Sequence, residues 1–355
     1  MSEDRRPLVC VIGAGPAGCA AASALSAAEV PVIVFEQGPR GRDKPCGDAF
    51  VAPAVRAIEA MGAGAVLALT PKVEFGSIGF GIGKFSTTRS RVKSGDGYVM
   101  RRSYFDGNLQ TWARRLPGVE IRFESTVQDI AKNASSGEPR GIAVSFRDGR
   151  DGSRQTIHCA GVVVATGAHA KLSRKFGLDG APDIGSAISL YVPEKAGGLE
   201  FRFESSHGYF WRFPVAGSRS NVGVCGTSMP KSRLLDRLAR YVDPACVVPE
   251  RCRGGVIPLW NRRFAVRHDA SGIVSCGDAA GLADPETGEG LTMALISGRR
   301  AGAAMAAHLN GASSTQALSS YSQDIDAILR SLYRRSAGWR INWNLHEVVA
   351  RRMFA

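Results

Sequence analysis

Three glycines at fixed spacing, Gly13, Gly15 and Gly18, separate an apolar run, Leu8 to Ile12, from an alanine-rich stretch that favours helix. The chemistry such a spacing serves is anion binding. Gly13 permits the tight strand-to-helix turn, and Gly15 lets backbone approach a pyrophosphate. Gly18 lets the helix pack closely on the sheet, so that the helix N-terminus faces the phosphate charge. Glu36 stands 18 residues past Gly18, at the end of Val32-Ile33-Val34-Phe35, where a carboxylate can accept from ribose hydroxyls. Strand, turn, helix, second strand and terminal acid are all in register, and together they read as a dinucleotide-binding unit. Pro16 and Ala17 inside the turn, and Gln37 beside the acid, belong to the same expected contact set.

Two further stretches carry groups that can react. In Lys44-Pro45-Cys46-Gly47-Asp48 a thiol sits beside a lysine, whose charge would lower the thiol pKa and make Cys46 a proton donor or relay. The plainer reading of Cys46 is a small buried residue in a turn. In His207-Gly208-Tyr209-Phe210-Trp211-Arg212-Phe213-Pro214 the aromatics Tyr209, Trp211 and Phe213 alternate, so on a strand they share one face and form one wall. That wall either borders an apolar substrate or is an aromatic core strand.

The elements that must position these residues follow from pattern. Pro53 to Leu69, Phe105 to Arg115, Leu234 to Val242 and Leu291 to Leu309 read as helices, and the chain from Ala317 onward is mainly helical. Val73 to Val99 reads as short, glycine-punctuated strands outside the nucleotide core. Val119 to Phe123 and Gly141 to Phe146 read as strands of a meander, with a polar loop over residues 132–139. Gly161 to Gly167 is a buried strand that breaks at glycine and should bring Thr166 and Gly167 close to a cofactor. Ile184 to Thr227 is strand-rich, and Gly254 to Trp260 leads back to the first domain. Ile273 to Asp278 is one more buried strand with an acid at its end. The fold class expected is α/β, with a Rossmann-type domain built from residues 1–72, 101–182 and 263–310. A mixed β-sheet substrate domain is expected from residues 73–100 and 183–262, and a helical segment from 311–355.

Several motifs together resemble those of the p-hydroxybenzoate-hydroxylase-like FAD superfamily, and within it the geranylgeranyl-reductase branch, with flavin-dependent halogenases as relations. Arg102-Ser103-Tyr104-Phe105-Asp106 is similar to RxxFD, and Gly277-Asp278-Ala279-Ala280-Gly281 to the second FAD motif. Asp284-Pro285-Glu286-Thr287-Gly288-Glu289-Gly290 matches the reductase form PxTGEG better than the halogenase form. The aromatic strand resembles the reductase YxWxFP and also the halogenase GWxWxIP, and Lys44 to Gly47 resembles a K-x-C-G segment placed near the flavin. The resemblance implies FAD in a glutathione-reductase-like Rossmann domain. Asp278 would then accept from a ribityl hydroxyl, and a helix opening near Gly290 would turn its amides toward the flavin ring. Gly277, Gly288, Leu291, Cys46, Gly47 and Val127 join the expected cofactor shell. Arg102 would contact the phosphates or the ring, or else be a solvated cation. Ala165-Thr166-Gly167 departs from the family's ADG, and the chain after Leu309 is shorter than in longer members.

The expected activity is reduction of C=C bonds in an apolar, isoprenoid-like substrate by hydride from reduced flavin, with Cys46 or Tyr209 as the acid and Trp211 in the catalytic wall. The alternative is a monooxygenase that hydroxylates an aromatic metabolite or a protein-borne aromatic side chain through a flavin hydroperoxide. A third reading is a flavin-binding maturation or interaction protein without turnover. There is no second complete GxGxxG, so NADPH or NADH would dock transiently or a separate reductase would deliver electrons. Bulk properties narrow the classes. The chain has 355 residues, 44% hydrophobic, with 45 Lys and Arg against 32 acids and a net charge of +13. The basic residues are spread rather than run together, which argues against nucleic acid and leaves an FAD or NADPH pyrophosphate, an anionic substrate, an acidic protein partner or an anionic membrane face. Eight cysteines without a CxxC pair read as free thiols, with no metal site expected. No apolar run reaches the about 18 residues of a membrane span, and Met1 to Arg6 leads straight into the first strand without room for a signal peptide. Cytoplasmic residence is the expectation. A basic, aromatic C-terminus (Arg334, Arg335, Trp339, Arg340, Trp343, Arg351, Arg352, Phe354) would either touch a membrane from the inner face or dock as a terminal helix.

Overall fold

The computed structural model describes residues 7–333 except 83–84, 94, 96, 133–140, 180–181, 195, 204–207, 262, 264–265 and 312–313. The strands Val9–Ile12, Val32–Phe35 and Gly161–Val164 are buried at every position. Such short, fully apolar strands suit a parallel sheet covered on both faces. They form the centre of a six-stranded sheet in the order His268–Asp269, Ile273–Ser275, Gly161–Val164, Val9–Ile12, Val32–Phe35, Val119–Arg122. All neighbours run parallel except the short His268–Asp269 edge. Val9–Ile12 pairs forward to Val32–Phe35 on one side and to Gly161–Val164 on the other. The glycine turn at its end therefore opens at the point where the strand order reverses, the crevice where such sheets bind nucleotides.

Val119–Arg122 corrects the meander expected from sequence. It extends the parallel sheet, with Val32 opposite Val119, and as an edge strand it is covered only in part. That half-cover is why Val-Glu-Ile-Arg alternates like an antiparallel strand. The meander itself is Thr126–Lys132, Ile142–Arg147 and Arg154–Cys159.

The second large sheet has seven strands in the order Arg253–Leu259, Asp183–Val192, Arg219–Thr227, Gly208–Val215, Leu199–Phe203, Ser77–Ile82, Phe85–Arg91. The stretch expected as one set of strands from Val73 to Val99 is shared between two sheets. Gly97–Met100 instead pairs with Lys72–Glu74 on one side and with Ala49–Val51 on the other. Helix Ala52–Ala60 ends at Met61-Gly62, where Gly62 has φ +80°, and a second helix covers Gly64–Leu69, so the single helix expected there is two. Further helices are Pro16–Ala27, Arg102–Ala113, Lys231–Leu238, Leu291–Leu309 and Ser314–Leu332. Strands of the two large sheets alternate along the chain, which gives the interleaved α/β architecture. Among the described residues no helix is long and apolar enough to cross a membrane. The basic aromatic segment from Arg334 to Phe354 lies outside the described residues.

Candidate active site

The glycine turn shows a distinct role at each position. A Cβ on Gly13, whose φ is +105°, would overlap the Ala165 carbonyl, and one on Gly18 would overlap the carbonyl of Gly13. A Cβ on Gly15 would meet nothing within 4 Å. Two glycines thus permit close packing and the third faces open space. Helix Pro16–Ala27 begins there with no side-chain cap and no acid in its first turn, so its leading amides are available to an anion. Glu36 is buried; its Oε2 accepts from Ala14 N at 3.0 Å and its Oε1 from Gly38 N at 2.9 Å. A carboxylate has about four acceptor positions, so two remain for hydroxyls. Gln37 beside it is exposed, and Val127 lies in the meander opposite Phe146, packed on the second core cluster. Thr166 Oγ1 donates to His169 O at 3.0 Å, and Gly167 turns the strand end with φ +70°.

The second glycine corner meets the first. Gly277 N donates to Ser297 Oγ at 2.9 Å, and a Cβ on Gly277 would stand 3.1 Å from Ala17 Cβ. Asp278 Oδ2 accepts from Lys44 Nζ at 3.3 Å. Helix Leu291–Leu309 opens at Gly290, where a Cβ would stand 2.9 Å from Asp278 Oδ1. The absence of a side chain at Gly290 brings the helix start against that carboxylate. Glu289 Oε1 accepts from Thr292 N at 2.8 Å, yet burial pushes its carboxyl up to about 7.

Between these corners and the seven-stranded sheet lies a cleft of about 1240 Å³, counting the open solvent at its mouth. Pro16, Asp278 and Gly288 to Leu291 border it on one side, and Cys46, Gly47 and Arg102 on another. Tyr209, Trp211 and Phe213 all face it, joined by Phe201 from the adjacent strand. Gly47 fits under this wall because a Cβ there would stand 3.0 Å from Phe213 Cε2. Across the same sheet face the bulk falls away. Tyr209 pairs with Cys225 and Trp211 with Gly223, Cys225 pairs with Ala187, and Ala187 with Gly255 on the edge strand.

The chemistry at Cys46 differs from the sequence expectation in partner and in sign. Lys44 is engaged by Asp278, while the cation beside the thiol is Arg102, whose Nη1 lies 3.8 Å from Cys46 Sγ. Arg102 is buried, not solvated, and grips Asp106 with two bonds of 2.8 Å. Burial pushes the Cys46 thiol up, and the pull of Arg102 does not overcome it. The thiol is therefore a protonated group in an apolar cleft. Tyr209 OH donates to Thr287 O, and burial pushes its phenol well above the ordinary range. Trp211 Nε1 donates to Asn221 Oδ1 at 3.0 Å. Sequence reasoning passed over Asp48, Tyr191, Asn221 and Glu289. Glu289 was visible only as a letter of a loop motif, and nothing in the sequence ties Tyr191 or Asn221 to Cys46.

The open face at Gly15, the uncapped helix start beyond it and the Asp278–Gly290 corner fit a dinucleotide whose flavin ring reaches the cleft. Comparison with known proteins identifies the family. Residues 7–336 match the family described as an FAD binding domain. A digeranylgeranylglycerophospholipid reductase 1 from Methanopyrus kandleri is 31% identical, over 83% of this chain and 79% of its own. A menaquinone reductase from Mycobacterium tuberculosis is 27% identical, over 85% and 77%. The crystal structure of a geranylgeranyl bacteriochlorophyll reductase-like protein from Thermoplasma acidophilum superposes with a TM-score of 0.76 at 20% identity, covering 98% of this chain and 96% of its own. With both glycine corners in place and the match spanning nearly the whole chain, it belongs to the FAD-binding oxidoreductases, in their geranylgeranyl-reductase branch.

Proposed function

We propose that this chain saturates carbon–carbon double bonds of an apolar, isoprenoid-bearing substrate. The observation that carries the reading is a protonated thiol, Cys46, set in an apolar cleft with an aromatic wall, beside the corner expected to hold the flavin. Bound and reduced, FAD supplies the hydride for such a reaction. The turn shaped by Gly13, Gly15 and Gly18 and the start of helix Pro16–Ala27 would hold the pyrophosphate, and Glu36 a ribose. Asp278 would take a ribityl hydroxyl, and the start of helix Leu291–Leu309 beside it would face the ring. Cys46 Sγ gives its proton to the alkene carbon that does not receive hydride. The thiolate left behind is stabilised by the Arg102 guanidinium at 3.8 Å, and water restores the proton. Tyr209, Trp211, Phe213 and Phe201 keep water from the reacting carbons.

Relatives named for a digeranylgeranyl lipid and for menaquinone support an isoprenoid substrate. The net charge of +13 suits an anionic lipid surface as the place where such a substrate is met. Electrons come from NADPH, NADH or a separate reductase. The test is to reduce the FAD-loaded protein with dithionite without oxygen and mix it with a geranylgeranyl lipid or menaquinone. Return of the yellow absorbance, with a product heavier by two hydrogens per bond, is expected. Reoxidation only with oxygen, coupled to hydroxylation of an aromatic compound, would make the chain a monooxygenase instead.

A further inference from the structure

We propose that Asp48 is a positioning residue, whose buried carboxylate locks the Cys46 loop and keeps the Cys46 thiol in its neutral form. The inference rests on the reading of Cys46 as proton donor. Asp48 is 1% exposed and has φ +65°, a conformation that Asp and Asn tolerate better than other side-chain-bearing residues. Its Oδ1 accepts from Arg102 N at 3.1 Å. Its Oδ2 accepts from Tyr191 OH at 2.6 Å and from Asn221 Nδ2 at 2.8 Å, and its carbonyl accepts from Met100 N at 2.9 Å. Arg102 N and Asn221 Nδ2 can only donate, and with the Tyr191 hydroxyl donating as well the shell suits an ionised carboxylate. Burial opposes the charge and pushes the carboxyl above the usual range, while the donors pull it back.

Asn221 makes the node a junction. Its Nδ2 also donates to Cys46 O at 2.7 Å, and its Oδ1 accepts from Trp211 Nε1. One carboxylate therefore fixes the thiol loop, the start of the Arg102–Ala113 helix and, through Asn221, the aromatic wall. It also sets the charge balance at sulfur. Burial and the Asp48 carboxylate hold the thiol neutral, whereas Arg102 and the backbone N–H of Asp48, which an Asn there would keep, draw it toward thiolate. Tyr191 and Tyr209 from the sheet are neutral hydroxyls, and the Lys44–Asp278 pair, Glu289 and Arg253 lie along the same cleft. Without the Asp48 charge, the pull of Arg102 at 3.8 Å from Sγ loses the carboxylate that opposes it.

Residue-resolved alkylation decides the matter. FAD-loaded protein is treated with iodoacetamide across a pH series, and the Cys46 peptide is quantified by mass spectrometry. In the wild type Cys46 should react only above the ordinary thiol range, near ~8.5. In Asp48→Asn, which suits the left-handed backbone, the midpoint should fall by about one pH unit, about tenfold more thiolate at a given pH below it. Asp48→Glu should bring it back toward the wild type, and the alkaline limb of kcat should move with the thiol while KM stays put. A midpoint that is unchanged or raised in Asp48→Asn overturns the proposal. Should that variant fail to fold, a wild-type Cys46 titrating at or below the ordinary range overturns it equally. Neither result depends on which substrate is reduced, so failure of the ene-reductase reading would show separately in wild-type turnover.

Discussion

Cys46 and Tyr209 are the two groups in the cleft whose protons could serve an alkene, and their surroundings separate them. The Tyr209 hydroxyl is spent on Thr287 O and its phenol is held far up by burial, whereas Arg102 stands ready to stabilise a Cys46 thiolate. Cys46→Ala should keep FAD but lose turnover by on the order of 100-fold, the typical scale of a general acid. Tyr209→Phe should keep turnover and lose roughly 1 kcal/mol of stability for the missing bond. Steady-state kinetics and urea melts check both, and the opposite pattern would exchange the two roles. Glu289 makes a second expectation. Burial raises its folded pKa to about 7 from an unfolded value of 4.5, so the folded protein binds the proton more tightly. Its contribution to stability is full below 4.5 and is lost as pH rises through about 7. Thermal melts should therefore show Glu289→Gln gaining on the wild type between those limits, and parallel curves would contradict the assignment. Gly13 and Gly18 were legible because close backbone approach leaves no room for a Cβ there, and Glu36 because an acid ending the second strand falls within reach of the turn's amides. Asp48 was not, since an acid after a glycine ordinarily reads as solvated turn, and only tertiary packing brings Tyr191 and Asn221 onto it.

The helices that carry the two glycine corners touch backbone to backbone. Cβ atoms on Gly298 and Gly302 would overlap the carbonyls of Ala17 and Ala21. Gly298→Ala should therefore destabilise by about 1–3 kcal/mol through overpacking and weaken FAD retention. Gly64→Ala, where an added Cβ meets nothing within 4 Å, should be neutral or slightly stabilising. Melting temperatures and the flavin content of the purified variants check the contrast; equal behaviour of the two would remove the close-packing argument. Helix Leu291–Leu309 was readable to the residue, because small and apolar positions repeat over its whole length. Lys231–Leu238 was placed three residues late, since Lys231-Ser232-Arg233 precede the first apolar position. The edge strand Val119–Arg122 was assigned to the wrong sheet for the matching reason, that edges carry mixed polarity.

Across the whole molecule the pattern of sheets was visible from composition, while the way strands are dealt between them was not. Ser77–Ile82 reaches the seven-stranded sheet by running parallel to Leu199–Phe203, a pairing between segments more than a hundred residues apart that no local signal announces. The sheet face over the cleft grades from aromatic at Phe201 and Trp211 through Cys225 to small at Ala187 and Gly255, so that side of the cleft is shaped by residues from five strands. Most of these looked like ordinary core in sequence.

The joint made by Gly298 and Gly302 has a bearing on how the protein is made. Its two partners are separated by most of the chain, and the Asp278–Gly290 corner has no counterpart in the first half. A ribosome that has released only the opening Rossmann unit has released a glycine turn with nothing to close against. If both corners grip the cofactor, FAD should be retained only after helix Leu291–Leu309 has emerged, and the flavin content of chains stalled before and after that helix would check this.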